Sequence, residues 1–167
     1  QSGNDCAAAI AEHISGSQEA FAELMNTEAK QLGATGTHFV NPHGLHDENH
    51  YTTTYDLYLM FNEALKDQAF LDIISMNSYT AKVTSADGTS YTPTWQATNY
   101  YSAGEATPPD GIHVYGGKTG TTDQAGNCVI LYEKNTAGEP YISVIMGASD
   151  KPLLYEEMNE LLDAGMK

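Results

Sequence analysis

Three glycines and three threonines surround one lysine in Tyr115-Gly116-Gly117-Lys118-Thr119-Gly120-Thr121-Thr122. Glycine removes the side-chain wall and lets a ligand lie against backbone. Threonine suits a strand and brings a hydroxyl donor, and the lysine brings a positive charge. The apolar alternation of Ile112 and Val114 leads into this stretch, and a second β-rich run follows it. It therefore reads as an edge strand with an open face, suited to a carboxylate-bearing substrate laid along it. A plainer reading is an edge lysine that discourages strand-to-strand aggregation.

Ser2-Gly3-Asn4 stands at the other end of the chain, directly before a helix signal. Ser-x-Asn and Lys-Thr-Gly are two of three motifs shared by penicillin-binding proteins and class A β-lactamases. Between them lie Phe39-Val40-Asn41-Pro42-His43-Gly44-Leu45 and His50-Tyr51-Thr52-Thr53-Thr54-Tyr55-Asp56-Leu57. Together these segments closely resemble the low-molecular-mass D-alanyl-D-alanine carboxypeptidases, penicillin-binding proteins that trim peptidoglycan. The resemblance covers nearly the whole chain.

The third motif, the Ser-x-x-Lys that carries the nucleophile, occurs nowhere in these 167 residues. In the family it precedes Ser-x-Asn by several tens of residues, so the chain is expected to be the back part of a catalytic domain. The resemblance implies an α+β, β-lactamase/transpeptidase-like fold, with an antiparallel sheet, a C-terminal helix and a helical subdomain. It also implies that the N-terminal strands and the nucleophile helix lie in a missing N-terminal segment. One partial domain is expected over residues 1–167, mainly helical over 5–75, with the sheet and last helix over 112–167.

For the site, the resemblance implies that Ser2 passes protons between the nucleophile and the leaving amine, and that Lys118 sets the electrostatics of that network. Asn4 would hold the substrate's peptide carbonyl, and the Thr119 and Thr121 hydroxyls, beside Gly120, its terminal carboxylate. The Thr121 N–H would be one of two oxyanion donors. The substrate would be a peptidoglycan stem peptide ending in D-Ala-D-Ala. β-Lactam antibiotics would bind the intact protein, which would lie in the extracytoplasmic bacterial envelope, at the outer face of the cytoplasmic membrane or secreted, and no cofactor is implied. Two alternatives stand beside this. One is an inactive module that binds cell-wall peptide or a partner; the other is a serine β-lactamase relative. The latter needs a deacylating glutamate, and Glu48, Glu63 and Glu105 sit in no pattern that suggests one.

Composition narrows the partners. Twenty-two acidic residues face seven lysines and no arginine, for a formal charge of −15. Phosphate contacts need clustered Lys and Arg, so nucleic acid is excluded as a partner. Lys118 is then nearly the only counter-charge available to an anion on the Gly-Thr strand, with no guanidinium to assist. Cys6 and Cys128 make neither a disulfide framework nor a zinc quartet, and are expected to be buried free thiols.

The elements that must position these residues can be read in order. Asn4 or Asp5 caps a first helix ending near Ser15-Gly16, and Ser17 caps a second that stops at Gly33. Residues 36–53 form a loop holding His38, His43, His46 and His50. Asn41-Pro42 and Gly44 break helices and no His-Glu-x-x-His is present, so a metal site is not expected, and the resemblance implies a packed loop near the rim of the active site. Thr53 or Thr54 caps a third helix through Leu65, with a short sequel over Ala69–Ile74. A hairpin turns at Asp87-Gly88. Residues 96–111 are expected to be loop, with Trp95, Tyr100 and Tyr101 packed around it. Strands over Ile112–Gly120, Asn127–Lys134 and Tyr141–Gly147 form a meander. A last helix after Pro152 turns Leu153, Leu154, Met158, Leu161 and Leu162 inward.

Overall fold

Residues 2–165 are described by a computed structural model, and their element boundaries fall where the chain is punctuated. Helix α1 (Asn4–Ser15) stops at Gly16, whose φ of 82° lies in the left-handed region. Its cap corrects the expectation. Gly3 takes the N-cap position with no side-chain bond, and Asn4 is the first helical residue. Helix α2 (Gln18–Gln31) starts at Ser17, whose Oγ accepts from Ala20 N at 3.1 Å. Helix α3 (Thr54–Ala64) is capped by Thr53 and α4 (Gln68–Ile74) by Asp67.

The hairpin is two short ladders rather than one. Strand β1 (Ser78–Thr80) pairs with β4 (Thr94–Gln96), and β2 (Val83–Thr84) pairs with β3 (Ser90–Tyr91). Pro93 stands at the interruption, where its missing N–H cannot extend a ladder. Tyr79 and Trp95 are cross-strand partners with parallel rings 6.4 Å apart, so Trp95 packs on the hairpin and not around residues 96–111. Those residues are not all loop either. Asn99 caps a one-turn helix, α5 (Tyr100–Ala103).

The C-terminal part is an antiparallel sheet of β5 (Ile112–Thr122), β6 (Gly126–Asn135) and β7 (Pro140–Ala148), in that order, followed by α6 (Lys151–Ala164). Three successive residues of β6, Val129, Ile130 and Leu131, are buried, which requires cover on both faces of the sheet. One face is closed by Leu154, Tyr155, Met158 and Leu162 of α6. Each such side chain, fully buried, contributes roughly 1.5–3 kcal/mol of transfer free energy. Leu161 departs from the expected inward set and is exposed, about 100° around the helix from Leu162. Gly116 is required where α4 meets β5, because a Cβ there would lie 1.9 Å from the Ile74 carbonyl oxygen.

Candidate active site

Strand β5 lies at one edge of the sheet and carries Lys118, Thr119, Gly120 and Thr121 past the start of α1. Lys118 Nζ donates to Ser2 Oγ at 2.8 Å across 116 positions of sequence, and it also donates to the Thr119 carbonyl. Ser2, Asn4, Lys118, Thr119, Gly120 and Thr121 all line one cleft of about 570 Å³. With Gly3 as the cap residue, the Asn4 amide has no capping duty, and it stands on the cleft wall.

The three glycines of β5 divide their work. Gly116 and Gly117 are dictated by packing, since a Cβ on Gly117 would lie 2.0 Å from the Ile130 carbonyl oxygen. Gly120 faces open space within the cleft, so it alone leaves backbone free for a ligand to approach. The threonine hydroxyls are already tied. Thr119 Oγ1 and Thr98 Oγ1 share a hydrogen bond of 2.8 Å, and Thr121 Oγ1 donates to Asn127 Oδ1 at 3.3 Å.

Lys118 counts as exposed over the whole residue, yet burial around its amine lowers its pKa below the usual lysine value. The whole-residue measure averages over the stem, and the environment of the amine itself governs its proton. Desolvation disfavours the ammonium, so this lysine gives up its proton more readily than one on open surface.

The loop Pro42–Leu45 also lines the cleft. Asn41 Oδ1 accepts from Gly44 N at 2.7 Å and shapes its turn. The loop hangs from two helices. The Asn26 amide of α2 bonds both Phe39 N–H and Phe39 C=O, and buried Asp56 of α3 accepts from Gly36 N and Thr37 Oγ1. Imidazole nitrogens serve the same loop: His38 Nδ1 donates to the Asn49 carbonyl, His43 Nδ1 accepts from Leu45 N, and His50 Nδ1 accepts from Val40 N. Burial lowers the His50 pKa, which favours that neutral acceptor. Among the described residues no group of three or more His, Cys, Asp or Glu side chains could hold a metal.

Cys128 also lines the cleft and is partly buried, whereas Cys6 on α1 is exposed, against the expectation of two buried thiols. Thr98 and Asn127 were not expected at the site, whereas His43 lies on the loop expected near its rim. A single threonine or asparagine in an irregular or β-rich stretch carries no local signal, and their contacts with β5 exist only in the fold.

A family model described as D-alanyl-D-alanine carboxypeptidase matches residues 1–150. The chain belongs to that family. Similar proteins include the D-alanyl-D-alanine carboxypeptidase DacF of Bacillus subtilis, 32% identical over 162 residues, which cover 97% of this chain and 39% of DacF. Among solved structures, a Streptomyces DD-transpeptidase superposes with a TM-score of 0.88 at 26% identity, covering 98% of this chain and 63% of that one. A D-alanyl-D-alanine carboxypeptidase from Mycobacterium tuberculosis gives a TM-score of 0.81 at 26% identity, covering 99% of this chain and 60% of the other. These neighbours share the α+β, transpeptidase-like fold described above. The chain thus spans about two-fifths of the length of its carboxypeptidase relative DacF.

Proposed function

We propose that this chain supplies the Ser-x-Asn and Lys-Thr-Gly part of a serine-type carboxypeptidase. It would remove the last D-alanine from peptidoglycan stem peptides, outside the cytoplasm at the bacterial envelope. The observation that carries this reading is the 2.8 Å bond from Lys118 Nζ to Ser2 Oγ inside a cleft shared with Asn4 and Thr119. Family membership supports it over a β-lactamase or an inert binding module.

The reaction is acyl transfer. A serine oxygen bonds to the carbonyl carbon between the two D-alanines, the C–N bond breaks, and the departing nitrogen takes a proton. Ser2 accepts a hydrogen bond from Lys118, so its own O–H remains available to donate to that nitrogen. The lowered pKa of Lys118 suits it to replenish the proton. The Asn4 amide holds the substrate's peptide carbonyl, and the Thr119 hydroxyl receives the carboxylate, since Thr121 gives its one hydrogen to Asn127. The Thr121 N–H serves the oxyanion, a contact worth about 3 kcal/mol. Water then cleaves the ester.

Mass spectrometry after benzylpenicillin treatment tests this. The chain alone, with no Ser-x-x-Lys, gains no covalent penicillin. The same chain preceded by a family Ser-x-x-Lys segment gains one penicillin and hydrolyses D-Ala-D-Ala peptides, and Lys118→Ala in that longer protein removes most of the rate. One penicillin bound to any serine of the present chain would overturn the assignment of roles.

A further inference from the structure

Among the described residues that line the cleft, Lys118 is the one cationic lysine, and Ser2, Thr119, Thr121 and Thr122 bring hydroxyl groups. The pairing of Thr98 with Thr119 bears on how those hydroxyls act. Each hydroxyl has one hydrogen to give. In a hydroxyl pair one partner donates, and the accepting partner keeps its own hydrogen for a third group. When Thr98 donates to Thr119, Thr119 is left with an O–H to aim into the cleft. An O–H whose oxygen already accepts a hydrogen bond is polarised and donates more strongly.

Thr98 is held firmly enough for this duty. The next residue, Asn99, is only 3% exposed, and its Oδ1 accepts from Tyr101 N while its Nδ2 donates to Ser102 Oγ. Tyr100 N donates to Tyr155 Oη of α6 at 2.9 Å, and the two rings stack with centroids 4.4 Å apart. Tyr101 Oη donates to Asn159 Oδ1, a second tie to the same helix. The turn carrying Thr98 is therefore bolted to α6, while Thr98 itself remains exposed. Nothing in the packing of an exposed side chain demands a hydroxyl there, yet that hydroxyl lies at bonding distance from the threonine of Lys-Thr-Gly.

We propose that Thr98 is a positioning residue for the carboxylate end of the cleft, donating to Thr119 so that Thr119 presents its own O–H to the terminal carboxylate of a peptide. This rests on the D-Ala-D-Ala reading above. The Thr98–Thr119 pair contributes oriented dipoles, and Lys118 contributes charge.

The test uses Thr98→Val, which keeps the shape and removes the hydroxyl, and Thr98→Ser, which restores it. In the unliganded chain, three-bond couplings report the χ1 rotamer of Thr119. The native chain and T98S show one rotamer and T98V shows an average; one retained rotamer in T98V overturns the proposal. NMR titrations then compare a peptide ending in D-Ala-D-Ala with the same peptide as its C-terminal amide. T98V weakens carboxylate binding by about five- to tenfold, as expected for loss of one hydrogen-bond contribution. It leaves amide binding unchanged, and T98S binds both within about twofold of the native chain. Equal loss for the two peptides, no loss, or failure of T98S to restore binding overturns the proposal. A native chain that binds neither peptide overturns the D-Ala-D-Ala reading and the carboxylate role with it, whereas an intact carboxylate preference in T98V overturns the role of Thr98 alone. If T98V does not fold, Thr98→Ala carries the same comparison.

Discussion

Glu133 lies in β6 with no exposed surface, two positions beyond Leu131 on the face covered by α6. Ser143 Oγ donates to its Oε1 at 2.6 Å, and its Oε2 has no partner among the described residues. Burial pushes the carboxyl up to about 7, with the Ser143 bond opposing that shift only in part. The unfolded chain ionises Glu133 near the ordinary glutamate value, so the consequence for stability has a definite sign. Below that value both states are protonated and the folded state suffers no penalty. As pH rises toward and past 7, the unfolded state has already shed its proton, and stability falls until the folded state ionises too. At 1.36 kcal/mol per pH unit the full loss is on the order of 3 kcal/mol. Glu133→Gln keeps an acceptor for Ser143 and has nothing to ionise. Its melting temperature therefore exceeds that of the native chain at pH 8, and the gap closes at pH 4. Thermal melts of both proteins at the two pH values decide the matter: a gap that does not change with pH would refute it.

At the scale of elements, what the sequence made legible was local. Ser17, Thr53 and Pro152 marked helix starts because capping and a fixed φ act within one turn. The meander was readable because β6 and β7 are apolar, β-rich runs and a turn separates them. Helix α5 escaped notice because four residues show no period, and its cap, Asn99, works through burial that only the fold supplies. The convergence of the two motifs on one cleft was legible only through the family resemblance, since no rule of spacing joins residues 116 positions apart. Thr98 was invisible for the same reason. The link between α6 and its turn can be weighed by Tyr155→Phe, which retains the ring stacked on Tyr100 and removes the hydroxyl that accepts from Tyr100 N. Leaving that N–H without a partner costs about 1–3 kcal/mol, equivalent to a fall of roughly 2–12 °C in Tm for a domain of this size. Hydrogen exchange should quicken first at the Tyr100 amide. Unchanged protection there would show that the stack alone holds the turn.

Across the whole molecule, two opposing features meet. Strands β5 and β7 are the outer strands of the three-stranded sheet, so each has one side unpaired within that sheet. Apolar side chains such as Ile10, Ile14 and Ile73 are well exposed. Open strand edges and apolar patches favour association between copies. Against them stands a formal charge of −15, which makes copies repel at neutral pH. Two independent changes remove the repulsion without touching the apolar surface. Raising NaCl from about 0.1 M to about 1 M shortens the screening length from roughly 10 Å to roughly 3 Å. Lowering the pH to the isoelectric value near 4.4 abolishes the net charge at low salt. Light scattering should therefore report a constant mass at pH 7 and low salt over a range of concentrations, and a mass that grows with concentration under either change. Protonation of Glu133 does not account for growth at pH 4.4, because it strengthens the fold rather than loosening it. A mass indifferent to both salt and pH would mean that the edges and patches are too well guarded by their own geometry to need the charge.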